Sequence, residues 1–315
     1  MNNKYLYAAL KQYNLQNKTA TLIGHNDNMT FNVADLFLLR IHKSSEKFNS
    51  DFLYCNAKRA DICNTEMKFL QHLKNCGLNV QSPYVNTKGK LVSTLKDGTL
   101  ATVTSWLDGK SATQEDIDEI FCRQLGSMVS QLHNSSKDFH SENILKYDNQ
   151  LCDILLSQLY AAQRNGYFDD NHYTILIRAV NIIKNAFSQS INNFTIIHGD
   201  LSLSNTLITS SGLALIDFSL FGIGHPMIDI ACAYSFITNE TMRKTFDKGY
   251  ISNGGSIDYN MINICYAFNE LMGILLHIDK LATEIWFCTW LDDLCRTVFI
   301  PVVNGKEPLW TELNG

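Results

Sequence analysis

The chain of 315 residues carries 26 Lys and Arg against 31 Asp and Glu, a formal net charge of −5, with no basic stripe to meet a nucleic acid. A mean hydropathy of −0.09 and a hydrophobic content of 45% fit a globular protein long enough for two lobes, each with its own core. No apolar run reaches the ~18 residues that span a membrane, and the start MNNKYLYAALKQYNL lacks the apolar core of a secretory signal, so a cytoplasmic protein without a membrane partner is expected.

Nine scattered cysteines with no CxxC pair fit reduced thiols. Cys55, Cys63 and Cys76 are the nearest group, and no His accompanies them at zinc spacing. Nothing in the composition calls for an obligate protein partner.

In chain order, residues 2–15 predict a short helix with Tyr5, Leu6, Ala9, Leu10 and Tyr13 on one side. Residues 19–23 and 29–33 predict strands around Gly24-His25-Asn26-Asp27-Asn28. The small polar residues of this loop tolerate a tight turn and can present N–H groups to phosphate; an ordinary hairpin turn fits equally. In the strand at 36–42, alternation puts Leu38 and Arg40 on one face and Lys43 opposite Arg40. A helix follows at 58–74, with Ile62, Met67, Phe69, Leu70 and Leu73 inward, Glu66 within it and Gly77 ending it. Asp97-Gly98 is a hairpin signal between strands at 91–96 and 99–106. These segments predict a five-stranded antiparallel sheet with one helix. Helical periodicity then takes over: 113–133 with Thr113 as N-cap and Ile117, Ile120, Phe121, Leu125, Met128 and Leu132 apolar, then 148–164 and 171–190.

The next stretch carries the chemistry. The apolar strand Thr195-Ile196-Ile197 runs into His198-Gly199-Asp200, and four residues separate Asp200 from Asn205. After a Ser210-Ser211-Gly212 turn, a second apolar run delivers Asp217. Two strands joined by tight loops thus bring two carboxylates and one amide to one edge. Phosphoryl transfer needs that set: a base to orient a hydroxyl, and two oxygen ligands for Mg²⁺.

HGDxxxxN followed by IDF resembles the catalytic and metal-binding loops of the aminoglycoside phosphotransferase and choline kinase families, small-molecule kinases with a protein-kinase-like fold. Protein kinases have Arg where Gly199 stands, and Gly where this chain has Ser219. No long activation segment or Ala-Pro-Glu anchor follows Asp217. The resemblance implies a bilobal α+β fold, with an antiparallel β-rich N-lobe at 1–105 and a mainly helical C-lobe at 106–315. It implies Asp200 as catalytic base, Asn205 and Asp217 as Mg²⁺ ligands, His198 as loop support and Asp229 as a hydrogen-bonding brace. It aligns Arg40 with the lysine that anchors nucleotide phosphates and Glu66 with its helix partner. Arg is not equivalent to Lys, and Lys43 is the second candidate. Asn28 falls in the loop over the phosphates, and Ser105 and Leu107 in the segment that meets the base.

The implied reaction moves the γ-phosphoryl group of ATP or GTP to a hydroxyl of an aminoglycoside, another antibiotic, an amino alcohol such as choline or ethanolamine, or a sugar. A nucleotide-binding protein without catalysis is the rival reading, and the intact Asp200, Asn205 and Asp217 argue against it. Residues 225–315 hold eleven Asp and Glu against six Lys and Arg, and 236–300 are predicted helical with a break at Asn253-Gly254-Gly255. The resemblance places the acceptor pocket in this region, with Glu270, Asp292 and Trp286 as contacts. A cationic acceptor suits acidic residues beside aromatics, while solvated helix faces and core aromatics account for the same residues.

Overall fold

The computed structural model describes residues 3–25, 28–44, 48–54 and 58–308; Asn26 and Cys55 lie outside them. Helix α1 (Asn3–Gln12) precedes strands β1 (Ala20–His25), β2 (Met29–Val33) and β3 (Phe37–His42). Helix α2 (Arg59–Asn75) follows, then β4 (Pro83–Tyr84), β5 (Val92–Thr94) and β6 (Leu100–Ser105). The strands form one sheet in the order β1-β2-β3-β6-β4, with β5 also on β6, and every pairing is antiparallel. The sheet has six strands where five are predicted. The extra one, β4, is two residues long, begins with a proline and lies at an edge, so it leaves no alternation to read.

One face of the sheet packs against α1. Phe31, Val33, Leu39, Ile41, Ala101 and Val103 bury themselves with Ala9, Leu10 and Tyr13 in a core of their own. Helix α2 is not part of it. Its Ile62, Met67, Phe69, Leu70 and Leu73 belong to the large core of the helical lobe, where Phe69 stacks on Phe221 with ring centres 5.2 Å apart. The segment before α2 joins the same core: Phe52 is buried in it, and the Asn49 N–H donates to the Leu276 carbonyl at 2.9 Å.

The C-lobe begins with β7 (Lys110–Ser111), α3 (Glu119–Ser135), β8 (Leu145–Lys146), α4 (Asn149–Arg164) and α5 (Asp170–Gln189). Then come β9 (Thr195–Ile197), β10 (Thr206–Thr209), β11 (Gly212–Leu215), β12 (Gly222–Gly224) and α6 (Met227–Phe236). Helices α7 (Glu240–Ser252), α8 (Tyr259–Leu281), α9 (Phe287–Leu294) and α10 (Ile300–Val303) complete it. Two small sheets, β11-β10-β7 and β8-β12-β9, carry the loops of the site. Helix α3 starts later than predicted. Asp118 caps it by accepting from Phe121 N–H at 2.8 Å, while Thr113 caps a separate single turn with Asp116, and Ile120 is 67% exposed rather than on the apolar face.

Helix α8 is long and apolar enough, by length and composition, to cross a membrane, but 67% of its apolar window is buried inside the lobe. It is the lobe's core helix, packed on α6 and α5. The cysteines among the described residues are free thiols. The expected β-rich N-lobe and mainly helical C-lobe are both present.

Candidate active site

The loop from β9 to β10 carries His198, Asp200 and Asn205, and it is tied down from below. The N–H groups of His198 and Gly199 donate to the two carboxylate oxygens of Asp229 at 2.8 and 2.9 Å. Asp229 lies in the first turn of α6 and is fully buried. Its third partner is His133 Nε2 at 3.0 Å, and His133 Nδ1 meets the Tyr250 hydroxyl at 2.9 Å. Burial alone would push the Asp229 carboxyl up; the His133 hydrogen bond and the two nearby histidines hold it below the ordinary carboxylate range. His198 Nε2 lies 3.0 Å from the Ile216 carbonyl, and Asp200 N–H reaches Nδ1 at 3.3 Å. These partners assign the Nε2–H tautomer and make the imidazole a cross-brace between the loop and Asp217's strand.

Gly199 has a physical reason to replace the protein-kinase arginine. Its φ is +80°, and a Cβ there would stand 2.1 Å from the Leu220 carbonyl oxygen and 2.9 Å from the Tyr147 hydroxyl. Tyr147 itself donates to that Leu220 carbonyl.

Asn205 Nδ2 donates to both Asp200 Oδ2 and the Asp200 carbonyl, each at 2.9 Å, which leaves Oδ1 as the amide oxygen for a cation. Burial pushes the Asp200 carboxyl up, Asp217 adds to the push, and His198 and Asn205 oppose it. Asp217 sits in the left-handed region at φ 61°, ψ 70°, a strained position for a non-glycine residue that turns its carboxylate out of the strand. Its side chain is 45% exposed to the cleft. Desolvation raises its proton affinity, but the Arg40 charge, the Ser219 hydrogen bonds and His198 together outweigh it and keep the carboxyl below the ordinary range.

Arg40 comes down from β3. Nη1 lies 2.8 Å from Glu66 Oε1 and Nη2 lies 3.6 Å from Asp217 Oδ1, with both Arg40 and Glu66 side chains almost fully buried. Burial works against the guanidinium's charge, but Glu66 and Asp217 more than restore it. Lys43, the second candidate, instead places Nζ 3.1 Å from the Tyr5 hydroxyl and 4.2 Å from its ring centre on α1. Arg40→Ala leaves Glu66 buried without this cation, a change that costs about 3–5 kcal/mol in comparable buried pairs. We expect a lower melting temperature and Mg-nucleotide affinity reduced at least ~10-fold, with Arg40→Lys retaining a substantial part. Calorimetry that finds wild-type affinity in the alanine variant would remove Arg40 from the phosphate site.

Ser105 N–H donates to the Ser82 carbonyl at 2.8 Å, its hydroxyl oxygen accepts from Ser82 N–H at 2.9 Å, and Trp106 N–H donates to the Leu36 carbonyl at 2.9 Å. Those donors are occupied within the protein. Among the described residues, Leu107 N–H takes no such partner, so of the two hinge positions Leu107 is the one with a donor to offer.

Asp200 and Asp217 face a cleft of about 350 Å³. Ile23, Gly24, His25, Asn28 and Thr30 roof it; Ser219 and Leu220 continue its floor; Phe48 and His277 line it as well. Glu270 is recessed on α8, accepts a hydrogen bond from Tyr266, and is pushed up by burial. It lies close to Cys232, which also feels Asp229 and Asp200 and bonds the Leu201 backbone of the catalytic loop. None of the three acceptor candidates, Glu270, Asp292 and Trp286, is among the residues that line the cleft. Asp292 accepts from His172 Nε2 on α5 at 2.9 Å, and Trp286 stands half exposed at the start of α9 against Trp290. The sequence reading missed His133, Tyr147, Phe48 and His277, none of which sits in a local motif.

Among the described residues, no three His, Cys, Asp or Glu side chains gather into a metal cluster. Asn205 Oδ1 and the Asp217 carboxylate form a smaller, all-oxygen donor set. It fits a hard cation that completes its shell with phosphate oxygens and water, as Mg²⁺ does.

The β-rich lobe over a helical lobe, with an aspartate loop and a second aspartate facing one cleft, is a protein-kinase-like phosphotransferase fold. Solved structures of several small-molecule kinases share it. An amicoumacin kinase in complex with AMP-PNP, Ca²⁺ and Ami is similar with a TM-score of 0.71 at 16% identity, covering 98% of this chain and 96% of that one. A microcompartment-associated aminopropanol kinase gives 0.71 at 18% identity, covering 96% and 98%. A choline/ethanolamine kinase family protein from Mesorhizobium loti gives 0.62 at 14% identity, covering 91% and 92%. No curated protein sequence matches the chain. The profile of the phosphotransferase enzyme family (APH) matches residues 36–259, more than half of its length. The chain belongs to that family.

Proposed function

We propose that this protein transfers the γ-phosphoryl group of ATP or GTP to the hydroxyl of a small-molecule acceptor, with the N-lobe at 1–105 covering the nucleotide and the C-lobe at 106–315 holding the acceptor. The observation that carries this reading is the convergence of Asp200, Asn205 and Asp217 beneath the β1–β2 hairpin, with Arg40 reaching Asp217 from the sheet. The acceptor oxygen attacks the γ-phosphorus, the bond from that phosphorus to the bridging oxygen breaks, and a nucleoside diphosphate leaves. The acceptor's proton passes to Asp200, which also aims the attacking oxygen. Asn205 Oδ1 and Asp217 would hold Mg²⁺, which when bound supplies positive charge to the phosphate oxygens. Arg40, kept in place by Glu66, adds a second positive charge, and Asn28 belongs to the roof over the phosphates. Leu107 offers its N–H to the base, while Ser105 shapes the turn before it. With little covalent work for the protein to do, positioning accounts for most of the acceleration. Free thiols and a nucleotide donor both fit work in the cytoplasm.

The test is a panel of hydroxyl compounds assayed for Mg²⁺-dependent consumption of ATP and of GTP. Consumption that no acceptor stimulates would overturn the reading.

The acceptor we favour is cationic. Glu270 offers a recessed carboxylate on α8, hydrogen-bonded by Tyr266, in the acidic C-terminal region. Matched cationic, neutral and anionic alcohols should rank in that order. Acceptor affinity should fall between low and physiological salt, where the Debye length shortens to ~8 Å, while nucleotide affinity changes less. Preference for neutral or anionic acceptors would reduce the acidic region to a solvated surface.

A further inference from the structure

We infer that Tyr147 is a positioning residue: its hydroxyl fixes the segment that presents Asp217 against the loop that presents Asp200. The inference rests on the phosphotransferase reading above and adds to it a residue that touches neither substrate.

The two aspartates arrive from different sheets. Asp200 follows β9, in the sheet β8-β12-β9, and Asp217 follows β11, in the sheet β11-β10-β7. Their relative position therefore depends on ties between loops rather than on one ladder of strands. One tie lies just before Asp217, where His198 Nε2 meets the Ile216 carbonyl at 3.0 Å. After Asp217 the chain makes a single turn, Phe218–Leu220, and enters β12, which pairs with β9. The second tie stands at that re-entry. There the Tyr147 hydroxyl donates to the Leu220 carbonyl, and the Tyr147 N–H donates to the Ile223 carbonyl at 2.8 Å. Asp217 thus sits in the span 216–220, held to the neighbourhood of the catalytic loop at both ends. Its left-handed backbone, at φ 61°, is a conformation that persists only where the surroundings enforce it.

Three glycines make room for the phenol. A Cβ on Gly199 would stand 2.9 Å from its hydroxyl, one on Gly222 2.6 Å from its ring, and one on Gly224 3.0 Å from its Cβ. The first belongs to the catalytic loop and the others to β12, so the ring fills the gap between the two. Phe268 of α8 meets it edge to face, with ring centres 6.0 Å apart, and Tyr147 is 2% exposed. Leu220 lines the cleft, and Tyr147 stands behind it, outside the lining. Burial, and then Tyr54, Asp229 and Asp200, push the phenol well above its ordinary pKa, so it stays a hydrogen-bond donor at neutral pH. A donor that neither titrates nor meets the substrate holds a geometry and carries no proton.

Tyr147→Phe keeps the ring and removes the donor. Two quantities are measured: kcat on a verified acceptor, and, by calorimetry, the gain in AMP-PNP affinity when Mg²⁺ is added. A misplacement of about 1 Å costs as much as ~10²-fold in rate, so kcat should fall at least ~10-fold while the acceptor KM stays nearly unchanged. The Mg²⁺ gain, which depends on where Asp217 stands, should shrink by roughly 2–10-fold, the worth of one hydrogen bond, with metal-free affinity unchanged. Phe268→Leu is the control for packing alone, since it trims a contact of the ring and leaves the hydroxyl. It should lower the melting temperature at least as much as Tyr147→Phe and keep both kcat and the Mg²⁺ gain close to those of the wild type. A wild-type kcat or an undiminished Mg²⁺ gain in Tyr147→Phe would overturn the inference, as would losses of the same size in Phe268→Leu. A wild type that phosphorylates no acceptor would instead overturn the kinase reading, and the Mg²⁺ gain would still decide the role of Tyr147. A wild type that gains nothing from Mg²⁺ would overturn both.

Discussion

Asp200→Asn should lower kcat by at least ~10²-fold, the lower end of what a positioned general base contributes, while Mg-nucleotide affinity stays close to that of the wild type. The amide keeps an oxygen for the Asn205 Nδ2 bond, so the loop retains its shape and the loss falls on proton acceptance. The pH dependence gives a second signature. Burial raises the Asp200 carboxyl, and the base works only when ionised, so activity should fall with decreasing pH at a value above the ordinary aspartate range. That acid limb should be absent from the residual activity of Asp200→Asn. Turnover within a few-fold of the wild type on a verified acceptor would take Asp200 out of the reaction.

Asp229→Ala should be as damaging without touching a substrate. It removes the acceptor shared by the His198 and Gly199 N–H groups and by His133, all buried or nearly so. Removing one partner from a buried charged network costs about 3–5 kcal/mol, and the loop bearing Asp200 loses its anchor. Denaturant unfolding should show the stability loss, and kcat should fall more than nucleotide affinity. The sign with pH follows from the depressed carboxyl. The folded value lies below the unfolded ~3.9, so Asp229's contribution is complete above that value and disappears as pH falls through the folded one. Wild-type stability in Asp229→Ala would mean that the loop holds itself.

What is legible of the site in the sequence is its contiguous stretch. His198, Asp200, Asn205 and Asp217 fall within twenty residues, and the strands that carry them are short apolar runs with turn residues between. Arg40 and Glu66 are legible for a related reason: they lie on consecutive elements, 26 residues apart, and strand alternation picks Arg40 over Lys43. Distance in sequence hides the rest. His133 reaches Asp229 across 96 residues, and nothing around it marks it as a partner. Phe48 meets His277 only because the segment before α2 crosses to α8. Glu270, Asp292 and Trp286 have the same credentials in sequence, acidic or aromatic on a predicted helix. Their surroundings differ: Glu270 is recessed and accepts from Tyr266, Asp292 accepts from His172, and Trp286 stands half exposed. The start of the helix at Glu119 is hard to place from sequence because two capping residues, Thr113 and Asp118, lie five residues apart and only the second starts the α-helix.

The sheet and α1 share one core, while α2 is built into the other. The two cores still meet along α2, which touches β4 and β5 and sets Cys63 Sγ 3.6 Å from His42 Nδ1 on β3. Glu66 therefore rides on the chassis of the protein and Arg40 on its lid. A lid that tilts away over the cleft must pull apart a pair of charges that are both almost wholly buried, which makes the pair a detent: it holds the closed register firmly and releases it in one step. The pair is thus a buried electrostatic tie between the two cores, beside the contacts that α2 makes with β4 and β5.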